Sequence, residues 1–288
     1  MRLVIAGANG QLGHALSRQG VDHELLATDQ YELDITDAEA VKAGIKGFRP
    51  DAVINAAAYT AVDKAESDAE SAFAVNRDGP KNLAISCEEM GIPLIHISTD
   101  YVFDGSKQGA YIESDPTAPL SVYGASKLAG ELAVQENCSR HIILRTSWVF
   151  SSHGNNFVKT MLRLGSERET LGIVADQHGC PTAAVELARA IYAVLDQKPT
   201  GSTWGMYHFC QPEPTTWFKF AEAIFAEARA QGMDMKVSAI NALDTSDYPT
   251  PAKRPVNSTM SCAKFESNFN FIIRPWLHSL PEIIRELS

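Results

Sequence analysis

Cysteine is scarce in this chain of 288 residues, with five in all. They are Cys87, Cys138, Cys180, Cys210 and Cys262, widely spaced and without a CxxC pair. Such spacing argues against a zinc ribbon, and the odd number argues against a disulfide scaffold; a reducing cytosol is the expected compartment. Positive charge is also in short supply: 25 Lys and Arg face 35 Asp and Glu, a net charge of −10. A nucleic-acid surface needs clustered cations, so no nucleic-acid partner is expected, whereas a phosphorylated small ligand needs only a few placed donors. No stretch approaches the ~18 apolar residues that a membrane span requires. The opening MRLVIAGANG reaches glycine too early for a signal-peptide core, so a soluble cytoplasmic protein with no membrane partner is expected. The 8 histidines show no HExxH or similar spacing, and no metal is expected.

What the chain does have is rhythm. Short apolar runs, RLVIAG (2–7), ELLATD (24–29), DAVINAAA (51–58), PLIHIST (93–99) and HIILRTSWVF (141–150), alternate with amphipathic stretches. That alternation predicts a parallel sheet covered on both faces by helices, an α/β fold of the doubly wound, Rossmann-like kind. Thr36 and Asp37 are short polar residues that can cap a helix reaching about Lys46, and 63–90 reads as helical. Past residue 150 the rhythm loosens into helices such as TTWFKFAEAIFAEARAQG and short strands such as TLGIVAD and WGMYHFC. No linker marks a boundary, and a smaller C-terminal part is expected.

The first strand runs into VIAGANGQLG, which places Gly7, Gly10 and Gly13 in a G-x-x-G-x-x-G series. Glycines there permit a tight turn, close approach to a pyrophosphate, and close packing of helix on strand. The helix start that follows offers unpaired amides to phosphate oxygens. Asp29, at the end of the second run, stands where a carboxylate can bind the adenosine ribose and repel a 2′-phosphate. No arginine follows it directly, so NADH is expected to bind at least as well as NADPH. Asp34 and Ile35 are placed to meet the adenine.

PLSVYGASKLAGE (119–131) then sets Tyr123 and Lys127 four apart on one predicted helix face. A free phenol ionises near pH 10. A neighbouring ammonium is expected to lower that by ~1–3 units, making a phenol that exchanges protons near neutrality. Ser98 and Thr99 end the fourth strand, where ligands bind in open α/β sheets. Trp148 offers a flat wall, Asn155 and Asn156 sit in a turn before a helix, and Arg254 lies in a proline-stiffened loop where a guanidinium can clamp phosphate.

These features, with NAAAYTAVDKAES (55–67), HISTDYVFDG (96–105), RTSWVF (145–150), GNNFVKTML (154–162) and YPTPAKRPVNS (248–258), resemble the dTDP-4-dehydrorhamnose reductases of the extended short-chain dehydrogenase/reductase superfamily. The resemblance spans residues 1 to about 280. It implies NADH- or NADPH-dependent reduction of the C4 ketone of dTDP-4-dehydro-β-L-rhamnose, with Tyr123 as proton donor, Lys127 holding the ribose and tuning the phenol, and Thr99 bonding the same oxygen. It also implies a pyrophosphate turn lined by Gly10, Gln11 and Leu12, and a cofactor path along Ala57, Ala58 and Tyr59. Tyr59 stands where histidine is commoner in that family. Thr99, Asp100 and Trp148 are then expected at the sugar, with Asn156 and Arg254 toward the diphosphate. On this basis residues 1–150, with 177–205 returning, form the dinucleotide-binding domain and 151–288 mainly the substrate-binding one. A homodimer is common in such folds. An epimerase or dehydratase of the same fold, or a non-catalytic dinucleotide-binding subunit, remain alternatives at this stage.

Overall fold

The structure is a computed structural model that describes residues 1–288. Its first half alternates strand and helix: β1 (Arg2–Ala6), α1 (Gln11–Gln19), β2 (Glu24–Thr28), α2 (Ala38–Phe48) and β3 (Ala52–Asn55). The Asp37 carboxylate accepts from the amides of Glu39 and Ala40, which starts α2 at the expected cap. The helical stretch over 63–90 is broken into α3 (Val62–Ala65), α4 (Ala69–Phe73), a π-helical turn (Ala74–Asp78) and α5 (Gly79–Met90). Buried Asn76 occupies that wide turn, bonding both the amide and the carbonyl of Tyr59 and the Ser126 hydroxyl. A π-turn of this sort is a local departure that tertiary contacts must hold.

Next come β4 (Leu94–Thr99), α6 (Val122–Asn137) and β5 (His141–Thr146), then β6 (Val149–Phe150), α7 (Phe157–Glu167) and β7 (Thr170–Val174). The chain continues with β8 (His178–Gly179), β9 (Thr182–Ala183), α8 (Ala184–Gln197), β10 (Gly205–His208) and β11 (Thr215–Thr216). It ends with α9 (Trp217–Ala230), β12 (Ala239–Leu243), α10 (Ala263–Phe269) and α11 (Trp276–Arg285). The strand expected over 141–150 is two strands, because Trp148 adopts a left-handed backbone, φ 46°, that ends the ladder.

Six strands form one parallel sheet in the order β2-β1-β3-β4-β5-β10. Because β2 lies on one side of β1 and β3 on the other, the topological switch point falls between β1 and β3. Ligands bind outside the carboxyl ends of strands at such a point. One face of the sheet is covered by α1 and α8, whose Leu16 and Ile191 share a core with Phe209 and Phe265 from far along the chain. The other face packs Val4, Val53 and Ile143 against Leu83 and Val134. A second core joins Phe150, Leu162, Phe220, Ile224 and Trp276 among α7, α9 and α11.

Candidate active site

A cleft of about 1060 Å³ opens at the carboxyl edge of the sheet. Its floor is the glycine turn. Gly7 has φ 82°, and a Cβ there would lie 2.5 Å from the Ala57 amide nitrogen. A Cβ on Gly13 would stand 2.1 Å from the Gly7 carbonyl oxygen, so α1 can approach the turn only with glycine at that position. Gly13 thus shapes the turn without lining the cleft. Gly10 caps α1 with no side-chain bond to its first amides. Gly7, Gly10, Gln11 and Leu12 line the wall beside those free donors, a cradle that fits the pyrophosphate of a dinucleotide.

Beyond the turn, Asp29, Asp34, Ile35, Ala57 and Ala58 line the same cleft. The Asp29 carboxylate accepts from the Tyr31 amide at 2.8 Å and from the Asn9 side chain. The amide bond of Tyr31, above all, holds its carboxyl below the usual range. No cation pairs with it. Tyr59 lies outside the lining: its amide donates to Asn76 Oδ1 at 2.8 Å and its hydroxyl to Asp68 at 3.0 Å. It braces the loop after β3 and turns no side chain into the cleft.

At the far end Thr99, Asp100, Tyr123 and Lys127 converge on the cleft from the end of β4 and the start of α6. The Ser121 hydroxyl accepts from the Gly124 amide at 3.1 Å and so starts α6 just ahead of the tyrosine. Lys127 is 2% exposed, and its ammonium donates to the Ile97 carbonyl at 2.6 Å. Burial lowers the Lys127 pKa to about 8. The Thr99 hydroxyl donates to Asp100 Oδ1 at 3.0 Å, while Asp100 Oδ2 has no hydrogen-bond partner. Burial raises the Asp100 pKa to about 6.

The phenol departs from expectation. Burial pushes the Tyr123 pKa up to about 12, the Thr99 hydroxyl partly opposes this, and Asp100 adds to it. An i,i+4 spacing brings lysine and tyrosine to one face, but Lys127 spends a proton on the strand carbonyl of Ile97, and withdrawal from water dominates at the phenol. In this state the phenol is a firmly protonated donor.

Trp148 lines the cleft and stacks on Trp217, with ring centroids 3.5 Å apart and planes 8° from parallel. Trp217 also lines the cleft, held by its indole N–H on Gln177 Oε1 at 3.2 Å. Sequence reading passed over it, because it opens α9 some seventy residues from Trp148 and only the fold stacks the two. Asn155 lines the wall, whereas Asn156 caps α7 by accepting from the Lys159 amide and donates to Gln11 Oε1 at 3.0 Å. The helix start that follows was the available clue to that cap. Arg254 does not line the cleft: it pairs with Asp63 at 2.8 Å, tying the proline-stiffened loop to α3.

The family profile of the RmlD substrate binding domain matches residues 1–288. A dTDP-4-dehydrorhamnose reductase of Aggregatibacter actinomycetemcomitans is 46% identical over 287 residues, covering 98% of each chain. A crystal structure of a dTDP-4-dehydrorhamnose reductase from Clostridium acetobutylicum superposes with a TM-score of 0.93 at 39% identity, covering 100% of this chain and 99% of that one. Another from Bacillus anthracis, in complex with NADP, gives a TM-score of 0.92 at 37% identity, with 99% of each chain covered. The glycine cradle, the buried Tyr123 and Lys127, and full-length likeness at these identities agree: the chain belongs to the dTDP-4-dehydrorhamnose reductase family.

Proposed function

We propose that this protein reduces the C4 ketone of dTDP-4-dehydro-β-L-rhamnose to the alcohol of dTDP-β-L-rhamnose, drawing on NADH or NADPH. The observation that carries the reading is the burial of Tyr123 and Lys127 side by side in the wall of the cleft that the glycine turn opens. The bound dinucleotide supplies the hydride. The chain supplies the proton and the geometry.

Tyr123 is the proton donor. Reduction of a ketone leaves an alkoxide, a far stronger base than a phenolate, so a phenol raised to about 12 still gives up its proton downhill. Near neutrality it is also fully loaded, which suits the reductive direction. Thr99 stands beside it to bond the same oxygen. Lys127 uses one of its three N–H donors on Ile97 and keeps two for the ribose hydroxyls of the cofactor. Gly10, Gln11 and Leu12 hold the pyrophosphate, with Asp29, Asp34 and Ile35 at the adenosine end. Trp148, backed by Trp217, forms the flat wall for the sugar ring, and Asp100 takes a sugar hydroxyl. We read residues 1–150 with 177–205 as the dinucleotide-binding part and the rest of 151–288 as the substrate-binding part. Five free cysteines suit a reducing cytoplasm, and a homodimer fits this reading.

NADH absorbance followed with a dTDP-4-keto-6-deoxy sugar tests the proposal. The parent consumes NADH. Tyr123→Phe binds NADH as the parent does and loses about 10²–10⁴-fold in turnover, the usual worth of a positioned proton donor. Full activity in that variant removes the assigned role, and no consumption by the parent removes the reading.

A further inference from the structure

Gln11 does two different things with its backbone and its side chain. Its amide stands among the free donors at the start of α1, while its carboxamide is spent on the segment that follows β5. Nε2 donates to the Val149 carbonyl at 3.3 Å, and Oε1 accepts from the Ser151 hydroxyl and from Asn156 Nδ2, both at 3.0 Å. The orientation of the two amides is dictated by a helix start. Asn156 Oδ1 accepts from the Lys159 amide to begin α7, which leaves Nδ2 to donate to the Ser151 carbonyl at 2.7 Å and to Gln11. Only an oxygen of Gln11 satisfies it there. The packing is close as well: Gly154 has φ 70°, and a Cβ on it would lie 3.2 Å from Gln11 Cγ.

The same segment meets α1 and its turn at two further points. His153 Nε2 donates to the Asn9 carbonyl at 3.0 Å, and its ring stacks on His14 with centroids 4.1 Å apart and planes 9° from parallel. The Ser152 hydroxyl and the Arg18 guanidinium share the Glu286 carboxylate. Those hydrogen bonds are exposed, whereas the bonds of Gln11 are partly buried, and Gln11 is itself the first residue of α1. On the cleft side, the segment that Gln11 holds presents Trp148, Val149, Gly154 and Asn155. On the other side, Gly10 gives α1 no side-chain cap, so the first amides are left for an anion. A pyrophosphate seated there fixes the first turn of α1, and Gln11 with it.

We infer that Gln11 is a positioning residue that couples the two ligands: a dinucleotide on the glycine turn orders residues 149–156 for the nucleotide sugar, and the nucleotide sugar does the same in return. The inference rests on the reductase reading for the nature of the second ligand. Its physical cause is shared ordering. Whichever ligand binds first fixes the bonds of the carboxamide, and the second then meets a segment already in place. Such coupling is reciprocal by necessity, the same factor being seen from either ligand. Two diphosphates in one cleft repel each other directly, so a mutual gain in affinity has to pass through the protein.

The probe is dTDP, which carries no sugar to touch the nicotinamide. Calorimetric titration gives its Kd on the parent with and without saturating NADH, and the Kd of NADH with and without saturating dTDP. Each is expected to tighten about fivefold or more in the presence of the other. Gln11→Met keeps the reach of the side chain and makes none of its hydrogen bonds. In that variant the ratio is expected to fall below about twofold, whatever happens to either affinity alone. Packing damage weakens the affinities and leaves their ratio standing, so the ratio separates coupling from damage. Ser151→Ala removes one bond to Oε1 and is expected to give a ratio between those of the parent and Gln11→Met. A ratio near one in the parent overturns the inference. So does an undiminished ratio in Gln11→Met or, where that variant does not fold, in Ser151→Ala. A parent that shows the coupling but consumes no NADH with the keto sugar defeats the reductase reading and leaves this inference standing. A parent that binds no dTDP overturns both.

Discussion

The two ends of the cleft are built on opposite principles. At the glycine turn the backbone makes the site: Gly7 and Gly10 clear a path, and the free amides at the start of α1 lie beside a half-buried Asp29. The Asp29 carboxylate there is reached by water, and the Tyr31 amide favours its charged form. At the tyrosine end side chains make the site, and Tyr123, Lys127 and Asp100 are all buried, each pushed toward its neutral form. Binding by shape tolerates solvent; proton transfer is governed by how completely water is removed. One cleft therefore holds a ligand at one end and sets its acids at the other.

Three substitutions sharpen or break that contrast. The largest effect is expected from Gly7→Ala. Its φ of 82° disfavours a side chain, and the new Cβ would meet backbone atoms of Ala57 at 2.5 and 2.6 Å, which cannot swing aside. We expect a loss of about 2–4 kcal/mol in denaturant unfolding, with NADH binding abolished by fluorescence titration. A variant that binds normally would show that backbone shape is not what holds the cofactor end.

Asp100→Asn addresses the buried end. A carboxyl raised from 3.8 to about 6 binds a proton in the folded state that the unfolded chain releases, so stability falls as pH rises from about 4 to about 6. Asparagine has no such proton to lose. The variant is expected to be more stable at pH 7 by roughly 2–3 kcal/mol, with the gain gone below about pH 4, while turnover falls. Equal melting temperatures at pH 7 would break the contrast by showing Asp100 to be well solvated. The smallest effect belongs to the wet end: Asp29→Asn should raise the NADPH to NADH ratio of kcat/KM by roughly fivefold. It removes repulsion of a 2′-phosphate from a half-buried site that water still reaches, and added salt should shrink the change.

The same division decides what the sequence made legible. The glycine turn, the end of β2 and the Asp37 cap are local, each contained in a few neighbouring residues, and the apolar runs placed all five early strands of the sheet. The broken strand at Trp148 was not legible, because a left-handed tryptophan is a tertiary outcome that no local preference favours. Trp217 and the Gln11–Asn156 bond were hidden for the same reason, since stacking and loop docking bring distant residues together. The phenol is the instructive case. Spacing correctly put Tyr123 and Lys127 on one face, but spacing carries no information about burial, and burial determined the direction of the pKa shift.

The first core has a consequence for synthesis. Leu16 and Ile54, made early, share it with Ile191, Phe209, Phe265 and Phe271, made late. A nascent chain that has emerged only through β5 has one sheet face covered by α1 alone and a free edge along β5, where β10 must later dock. Such an intermediate is sticky, and strand edges left open invite pairing with other chains. The enzyme is therefore committed to folding nearly all at once near the end of translation, and holdase protection during that interval should govern its yield more than the stability of the finished molecule.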